Sequence, residues 1–410
     1  MRQSVCEQRR GRLASMAPGT VFVFTAAEEA LRNRTVAHPY RGDSQMLYLA
    51  GFDEPESALV VFADGDGAAR AVLYVRPRDA ERARWFDEGR GLEGASAWTG
   101  IEDVRPIERF GSELVDALAG AAQVGWRVGR SARGDAAMLR AMSEAGERRR
   151  RRDDRVPDLV DPARWLGVLR LRKDEGEIEA MRRAGSITAA AFEEIGGALR
   201  AGELELGVAG RLEAAFRARG AERTAFQTIV ASGPRATCLH AHPTRRALVE
   251  GELVLIDAGA EWDGYAADMS RTFSLGAPSA AQAAVLALVQ QAHDDAVAAV
   301  APGVALAHIH AVARGTLAAG LVDLGLPGPV DRWAIHATSH WIGLDVHDVG
   351  GVGTDEAPTI LEPGMVFSIE PGLYIDSDSP DASPALRGIG VRVEDTILTT
   401  QGGAEILTRL

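Results

Sequence analysis

"VLIDAGAEWDGYAADMSRTF" (residues 254–273) sets Asp257 at the end of an apolar run and Asp268 near the start of the next β-like segment. A carboxylate is almost never fully buried unless something positive pairs with it, because desolvating an unpaired charge is costly. A cation, a proton or solvent must therefore meet both groups. Between them, Asp263-Gly264 signals a two-residue hairpin turn. That turn puts Ser270 opposite Asp257, and Asp268, two positions from Ser270, shares its face, so the carboxylates converge within diagonal reach. Two aspartates near a glycine turn are commonplace, and a metal site needs more donors.

Later segments offer them. "AIHATSHWIGLDVHDVG" (334–350) carries His336, His340 and His347, three of the nine histidines, and the spacing puts His336 and His340 on one side of either a helix or a strand. "GMVFSIEPGLY" (364–374) reads as an apolar strand that ends in Glu370 and is stopped by a Pro371-Gly372 turn. "GIGVRVEDT" (388–396) alternates Val391 and Val393 with Arg392 and Glu394, a pattern that fits a solvated outer face as well as a functional one. These segments offer four carboxylates, Asp257, Asp268, Glu370 and Glu394, with one or more imidazoles. One divalent cation needs fewer protein ligands, whereas two adjacent cations sharing bridging carboxylates use them all. Oxygen-rich ligands with one nitrogen favour Mn²⁺, Co²⁺, Fe²⁺ or Zn²⁺ over Cu(I), without choosing among them.

The 410 residues exceed a typical single core of about 100–200 residues, so two domains are expected. Hydrophobic and charged fractions of 46% and 25% are those of an ordinary globular protein. A net charge of −13 argues against a polyanion as main partner. The exception, "GERRRRRDDR" (146–155), is followed by its own acids and reads as a solvated connector rather than a nucleic-acid patch. Cys6 and Cys238 make no disulfide framework, and Cys238 reads as a small buried side chain rather than a reactive thiol. "MRQSVCEQRRGRLASMAPG" lacks the apolar core of a secretory signal, and no window approaches about 18 uncharged apolar residues, so the cytoplasm and no membrane partner are expected.

Residues 20 to about 130 alternate strand-like and helix-like patterns, with a hairpin around Asp64-Gly65-Asp66-Gly67, a helix over 110–121 and a short strand over 124–129. The boundary falls near residue 170, giving domains 1–170 and 171–410. Beyond it Asp174 is an N-cap candidate with Glu177 three residues on. Two helices (about 175–199 and 206–219) precede β-rich segments, and the order repeats to about residue 400. Helices then strands, twice over, suggest two similar halves in α+β layers.

Asp257, Asp268, His340, Glu370 and Glu394, in this order and these surroundings, resemble the five-ligand dimetal site of the creatinase/methionine aminopeptidase superfamily. Within it, "SHWIGLDVHDVG", "LEPGMVFSIEPGLYI" and "RGIGVRVED" are similar to the signatures of the Xaa-Pro aminopeptidase (aminopeptidase P) family, and "YRGDSQMLYLAGFDEPESALVV" (40–61) to its creatinase-like N-terminal domain. The resemblance implies an α+β pita-bread catalytic domain with pseudo-twofold halves behind a smaller α/β domain. It also implies that Asp257 holds one metal, His340 and Glu370 the other, and that Asp268 and Glu394 bridge both. His240 and His347 match histidines that line the substrate pocket, His336 another active-site histidine, and Arg392 a guanidinium that fixes a carboxylate ligand. Relatives form dimers or tetramers, and the N-terminal domain approaches a neighbour's active site where Trp85 has a matching place; here Trp85 reads as ordinary packing.

Three departures bear on the pocket: Ala337 in "HATSH" where the family usually has glycine, His242-Pro243 after His240, and the acidic "DSDSPDASP" (376–384) at the expected rim. The resemblance implies hydrolysis of the N-terminal Xaa-Pro bond by a metal-bridging hydroxide, with two divalent ions, manganese foremost and cobalt, zinc or iron as alternatives. Glu370 is the expected proton shuttle. The alternatives are a dipeptidase of the same fold, prolidase, and a non-catalytic peptide-binding module, against which five intact ligand positions argue.

Overall fold

The computed structural model describes residues 2–64, 69–149, 156–351, 353–354 and 356–410. The chain forms two compact units, Met1–Leu169 and Arg170–Leu410.

The first unit runs α1 (Arg2–Met16), β1 (Thr20–Thr25), α2 (Ser44–Ala50), β2 (Ala58–Ala63), β3 (Ala69–Val75), α3 (Gly91–Thr99), β4 (Val104–Pro106), α4 (Phe110–Ala119), β5 (Gln123–Gly125), α5 (Ala132–Arg149), β6 (Asp158–Val160) and α6 (Ala163–Leu171, crossing into the second unit). Its sheet has the order β4-β3-β2-β1-β5-β6, with β2 antiparallel to β1 and β3, and β5 parallel to β1 and β6. The expected hairpin is β2–β3; most of its proposed turn, like most of the arginine run, lies outside the described residues. Helix α1 buries Cys6, Arg9, Arg10, Leu13 and Ala14 at helical spacing. Arg9 and Arg10 donate to the Tyr48 and Leu49 carbonyls in the last turn of α2, where cations are favoured. Trp85 is 80% exposed, so its expected packing within the fold is not found.

The first helix wholly within the second unit is α7 (Glu175–Gly196), started by the expected capping box of Asp174 and Glu177. Then follow α8 (Glu205–Ala218), β7 (Arg223–Thr224), β8 (Ile229–Ser232), β9 (Leu253–Ala258), β10 (Ala260–Trp262), β11 (Tyr265–Ala266) and β12 (Met269–Ser274). Its second half repeats the plan with α9 (Ala280–Ala298), α10 (Leu306–Asp323), β13 (Val366–Ile369), β14 (Gly372–Ile375), β15 (Ile389–Arg392), β16 (Asp395–Thr400) and β17 (Gly403–Ile406). Helices α7 and α8 pack Phe192, Leu212 and Phe216 against Val230, Val254 and Ile256 of the antiparallel sheet β12-β9-β8. Helix α9 packs Val285 and Val289 with Leu373 and Val391 of the β14–β15 pair, and Ile309 of α10 joins Phe367 and Ile397 of β13-β16-β17. This is an α+β architecture with two similar halves.

Glu205, fully buried at the start of α8, accepts hydrogen bonds from the backbone N–H and hydroxyl of Ser232, from the backbone N–H and hydroxyl of Thr244, and from Arg235. It thereby ties together both ends of the loop 233–243. Burial alone would raise its pKa, but the bonds from Thr244 and Ser232 outweigh burial and hold the carboxyl below its usual 4.5. A depressed folded-state pKa contributes stability that is present above 4.5 and lost as pH falls through the folded value. Glu205→Gln is expected to lower unfolding stability at pH 7 by about 2 kcal/mol. In urea melts the gap between wild type and variant should narrow as the pH drops below 4.5; a gap that stays constant with pH would contradict the ionised assignment.

Candidate active site

The hairpin forms in the expected register, with Ser270 opposite Asp257 and Trp262 opposite Tyr265, around Asp263 and Gly264, both at positive φ. Gly259 is required midway: a Cβ there would lie 1.7 Å from the Ala267 carbonyl oxygen. Beyond the hairpin, β12 runs along the second half of the unit. Ser270 and Glu394 exchange backbone hydrogen bonds, Thr272 exchanges them with Arg392 through its hydroxyl, and the Asp268 N–H donates to Thr396 Oγ1. One pairing thus carries Asp257, Asp268, Arg392 and Glu394 to a common place. Arg392 and Glu394, 4% and 2% exposed, face inward rather than solvent.

The imidazoles arrive on a different kind of support. His336 and His340 lie on neither a helix nor a regular strand; residues 338–342 form an extended segment beside β13. There the Ile342 N–H donates to Val366, Ser368 to the His340 carbonyl, and Glu370 to the Thr338 carbonyl. His336 Nδ1 lies 3.5 Å from Glu370 Oε2, so both histidines meet this carboxylate. His340 Nε2 lies 3.5 Å from Asp268 Oδ2, 3.5 Å from Glu370 Oε1 and 3.8 Å from Glu394 Oε1. The His347 ring meets that of His340 edge-on at 4.3 Å between centroids.

All nine sequence-proposed residues, His240, Asp257, Asp268, His336, His340, His347, Glu370, Arg392 and Glu394, line one cavity of about 530 Å³. Phe226, Ile229, Leu239 and Val346 give it apolar walls. Ala337 and His242, two of the departures, also line it, whereas the acidic stretch 376–384 contributes no lining residue, contrary to expectation. Cys238, expected to be buried, is exposed where the Gly233–Thr237 turn leads into the His240 loop.

Sequence reasoning missed Tyr374 and Ser270. Arg392 donates to Asp257 Oδ2 at 2.5 Å, to Ser270 Oγ at 2.8 Å and to Tyr374 Oη at 2.9 Å, while Tyr374 Oη lies 2.8 Å from His336 Nε2. Ser270 donates onward to Glu394 at 2.9 Å. Tyr374 reaches this position because Gly372, opposite Arg392 in the β14–β15 pair, has no side chain where the phenol lies. The available signal was its place two residues past the Pro-Gly turn, on the strand facing Arg392.

Charge here is unbalanced. Burial, then Glu394 and Asp257, push the Asp268 carboxyl well up; burial and Glu394 do the same to Glu370. Glu394 is pushed up to about 7 by burial and by Asp257. Burial lowers His336 to about 4, which leaves its ring neutral at pH 7. Asp257 Oδ1, Asp268 Oδ1 and Glu394 Oε1 are buried without a hydrogen-bond partner. Asp268, His340 and Glu394 each offer a ligand atom, all within 4.8 Å of one another. Bare anionic oxygens beside an imidazole nitrogen are the donor set of a borderline divalent metal.

Residues 179–401 match the family model described as metallopeptidase family M24, and residues 6–125 match that of the aminopeptidase P N-terminal domain. The chain belongs to metallopeptidase family M24. It is 34% identical to Xaa-Pro aminopeptidase of Escherichia coli K12, covering 99% of this chain and 94% of that protein. It is 32% identical to human Xaa-Pro aminopeptidase 3, covering 91% and 75%. Proline aminopeptidase P II from Yersinia pestis superposes with a TM-score of 0.94 at 35% identity, covering 100% and 96% of the two chains. E. coli aminopeptidase P with the inhibitor Pro-Leu gives 0.93 at 33%, covering 100% and 95%. The two-domain pita-bread architecture and the use of divalent metal follow for this M24 metallopeptidase, and the unpartnered oxygens fit such ions.

Gly259→Ala tests the hairpin's part in the site. A methyl group driven into a backbone carbonyl costs roughly 1–3 kcal/mol and should pry Asp257 from Asp268. The expected outcome is a lower melting temperature together with reduced Mn²⁺ retention after gel filtration, whereas full retention would separate the hairpin from metal binding.

Proposed function

We propose that the protein is an Xaa-Pro aminopeptidase that releases the residue before an N-terminal proline, working with two divalent ions, manganese foremost. Asp257 would hold one ion, His340 and Glu370 the other, and Asp268 and Glu394 would be shared. The observation that carries this is the convergence of four carboxylates, three with bare buried oxygens, and a ring of histidines in one partly apolar cavity. When bound, such ions lower the pKa of water towards neutrality and polarise the scissile carbonyl.

The chain's own residues do the rest. Arg392 holds Asp257 by Oδ2 and leaves Oδ1 pointing bare. Ser270, clamped between Arg392 and Glu394, fixes the second carboxylate. His336, Tyr374 and Arg392 form a chain of hydrogen bonds that fixes the imidazole beside Glu370, 3.5 Å away. His240 and His347, at the open side of the cavity, would donate to the scissile carbonyl oxygen as it gains charge. Glu370 passes a proton to the leaving nitrogen; a proline nitrogen carries no hydrogen before cleavage, so this transfer is indispensable.

The domain boundary near residue 170 would divide a creatinase-like domain (1–170) from the catalytic domain (171–410). A homodimer or homotetramer in the cytoplasm is the setting we propose, and two unbridged cysteines fit a reducing compartment.

Asp268→Asn and Glu394→Gln should each lower kcat/KM for an Xaa-Pro-Yaa peptide by at least about a thousandfold, or ~4 kcal/mol. Substantial turnover at normal metal content would refute the sharing assignment. His347→Ala should slow turnover by roughly 10²–10³ with metal still bound. Metal-stripped enzyme reloaded with one ion at a time should cleave Xaa-Pro-Yaa-Yaa; turnover of Xaa-Pro dipeptides alone would identify a dipeptidase instead.

A further inference from the structure

The segment that opens the catalytic unit delivers two cations to its interior. Arg170 and Lys173 have side chains only 2% and 1% exposed, and neither lines the substrate cavity. Both reach Asp348, itself 1% exposed: Arg170 through Nη2, and Lys173 with Nζ at 3.6 Å. Arg170 also binds Asp345 at 3.0 Å. Asp348 follows His347 directly in the chain, and its backbone N–H donates to the Trp341 carbonyl at 2.8 Å, closing the turn that begins just after His340. The Asp348 carboxylate lies over Gly343, where a Cβ would come within 2.0 Å of it, and Gly343 in turn accepts from the Ala266 N–H of the metal hairpin. The turn between the two histidines is therefore drawn in around one buried anion.

We propose that Arg170 and Lys173 are positioning residues for His347: buried cations that grip the Asp348 carboxylate and so fix the imidazole beside it. The proposal rests on the reading above in which His347 meets the substrate. The cost of an unpaired buried charge supplies the physical reason. With Asp348 held from two sides, the preceding residue has little freedom, and a ring on an otherwise irregular loop is aimed at one point in the cavity. Small displacements of an aligned group are costly in rate.

The test is a double-mutant cycle on the full-length, metal-loaded enzyme, with kcat and KM for an Xaa-Pro-Yaa peptide, metal content and melting temperature measured for each protein. Lys173→Met is expected to lower kcat about tenfold to a hundredfold with metal content unchanged. In the His347→Ala background the same substitution should change kcat less than about twofold, because the ring it aims is gone. Equal losses in both backgrounds, or wild-type kcat in Lys173→Met, would overturn the proposal. Should Lys173→Met not fold, Asp348→Asn, which keeps the shape and removes the gripped charge, carries the same cycle with the same two outcomes. If His347→Ala alone keeps the wild-type rate, the reading of His347 as a substrate contact fails and this inference falls with it. If His347→Ala is slow but the losses multiply, only the inference falls.

Discussion

Mutual repulsion among Asp257, Asp268, Glu370 and Glu394 is the constraint around which the catalytic unit is organised. Fully burying a phenylalanine or leucine contributes roughly 1.5–3 kcal/mol, whereas an uncompensated buried carboxylate costs several. Each bare anion therefore offsets the gain from about two core side chains. Arg392 is the one buried guanidinium among the described cavity-lining residues, and it neutralises one carboxylate through Asp257. The remaining excess shows as carboxyl groups pushed towards their protonated forms. Protons can relieve that excess at a cost in acidity; divalent cations relieve it at neutral pH and leave the oxygens anionic.

Such a cluster must be supported by neighbours that cannot relax away from it. The two halves of the unit supply this by pairing at β12. Asp257 and Asp268 belong to the first half and Glu394 to the second, yet Ser270 bonds the backbone of Glu394 as well as its side chain. Thr396 grips the backbone of Asp268 from the other side, donating to its carbonyl and accepting from its N–H. The helices α7 to α10 pack over the outer faces of these strands. Two half-structures that each bury an apolar sheet face can then tolerate a polar seam where they meet.

The carboxylates were more legible in the sequence than their surroundings. A period of two and a two-residue turn fix which face Asp257 and Asp268 share, so local rules sufficed for that pair. The alternation of Val391 and Val393 with Arg392 and Glu394 gave two faces but not that both are buried, because that depends on β12, more than a hundred residues earlier. Helix α1 escaped notice because two of its buried positions are arginines, whose role as caps for α2 is set by tertiary contact. Tyr374 and Ser270 were equally invisible: a tyrosine in an apolar strand and a serine opposite an aspartate carry no mark of function until Arg392 is seen reaching both.

There is a physical division of labour between the groups on strands and those on loops. Asp257 lies in β9, and Asp268, Glu370 and Glu394 directly adjoin β12, β13 and β16, so strand register fixes their mutual placement through many backbone bonds at once. His240 and His347, the residues proposed to meet a substrate, sit on irregular turns at the exposed side of the cavity, where an opening remains that strands paired on both edges would close. Loops of this kind are mobile unless braced. In both cases the brace is a buried acidic side chain just outside the cavity lining: Glu205 gathers the two ends of the loop that carries His240, and Asp348 closes the turn that carries His347. A carboxylate suits that task because it accepts several charge-assisted bonds from different directions, and once desolvated it cannot release them cheaply. Acidic groups thus act in two ways in this fold, left bare in the cavity where ions are proposed to be held and paired with buried cations or hydrogen-bond donors where a loop is kept still.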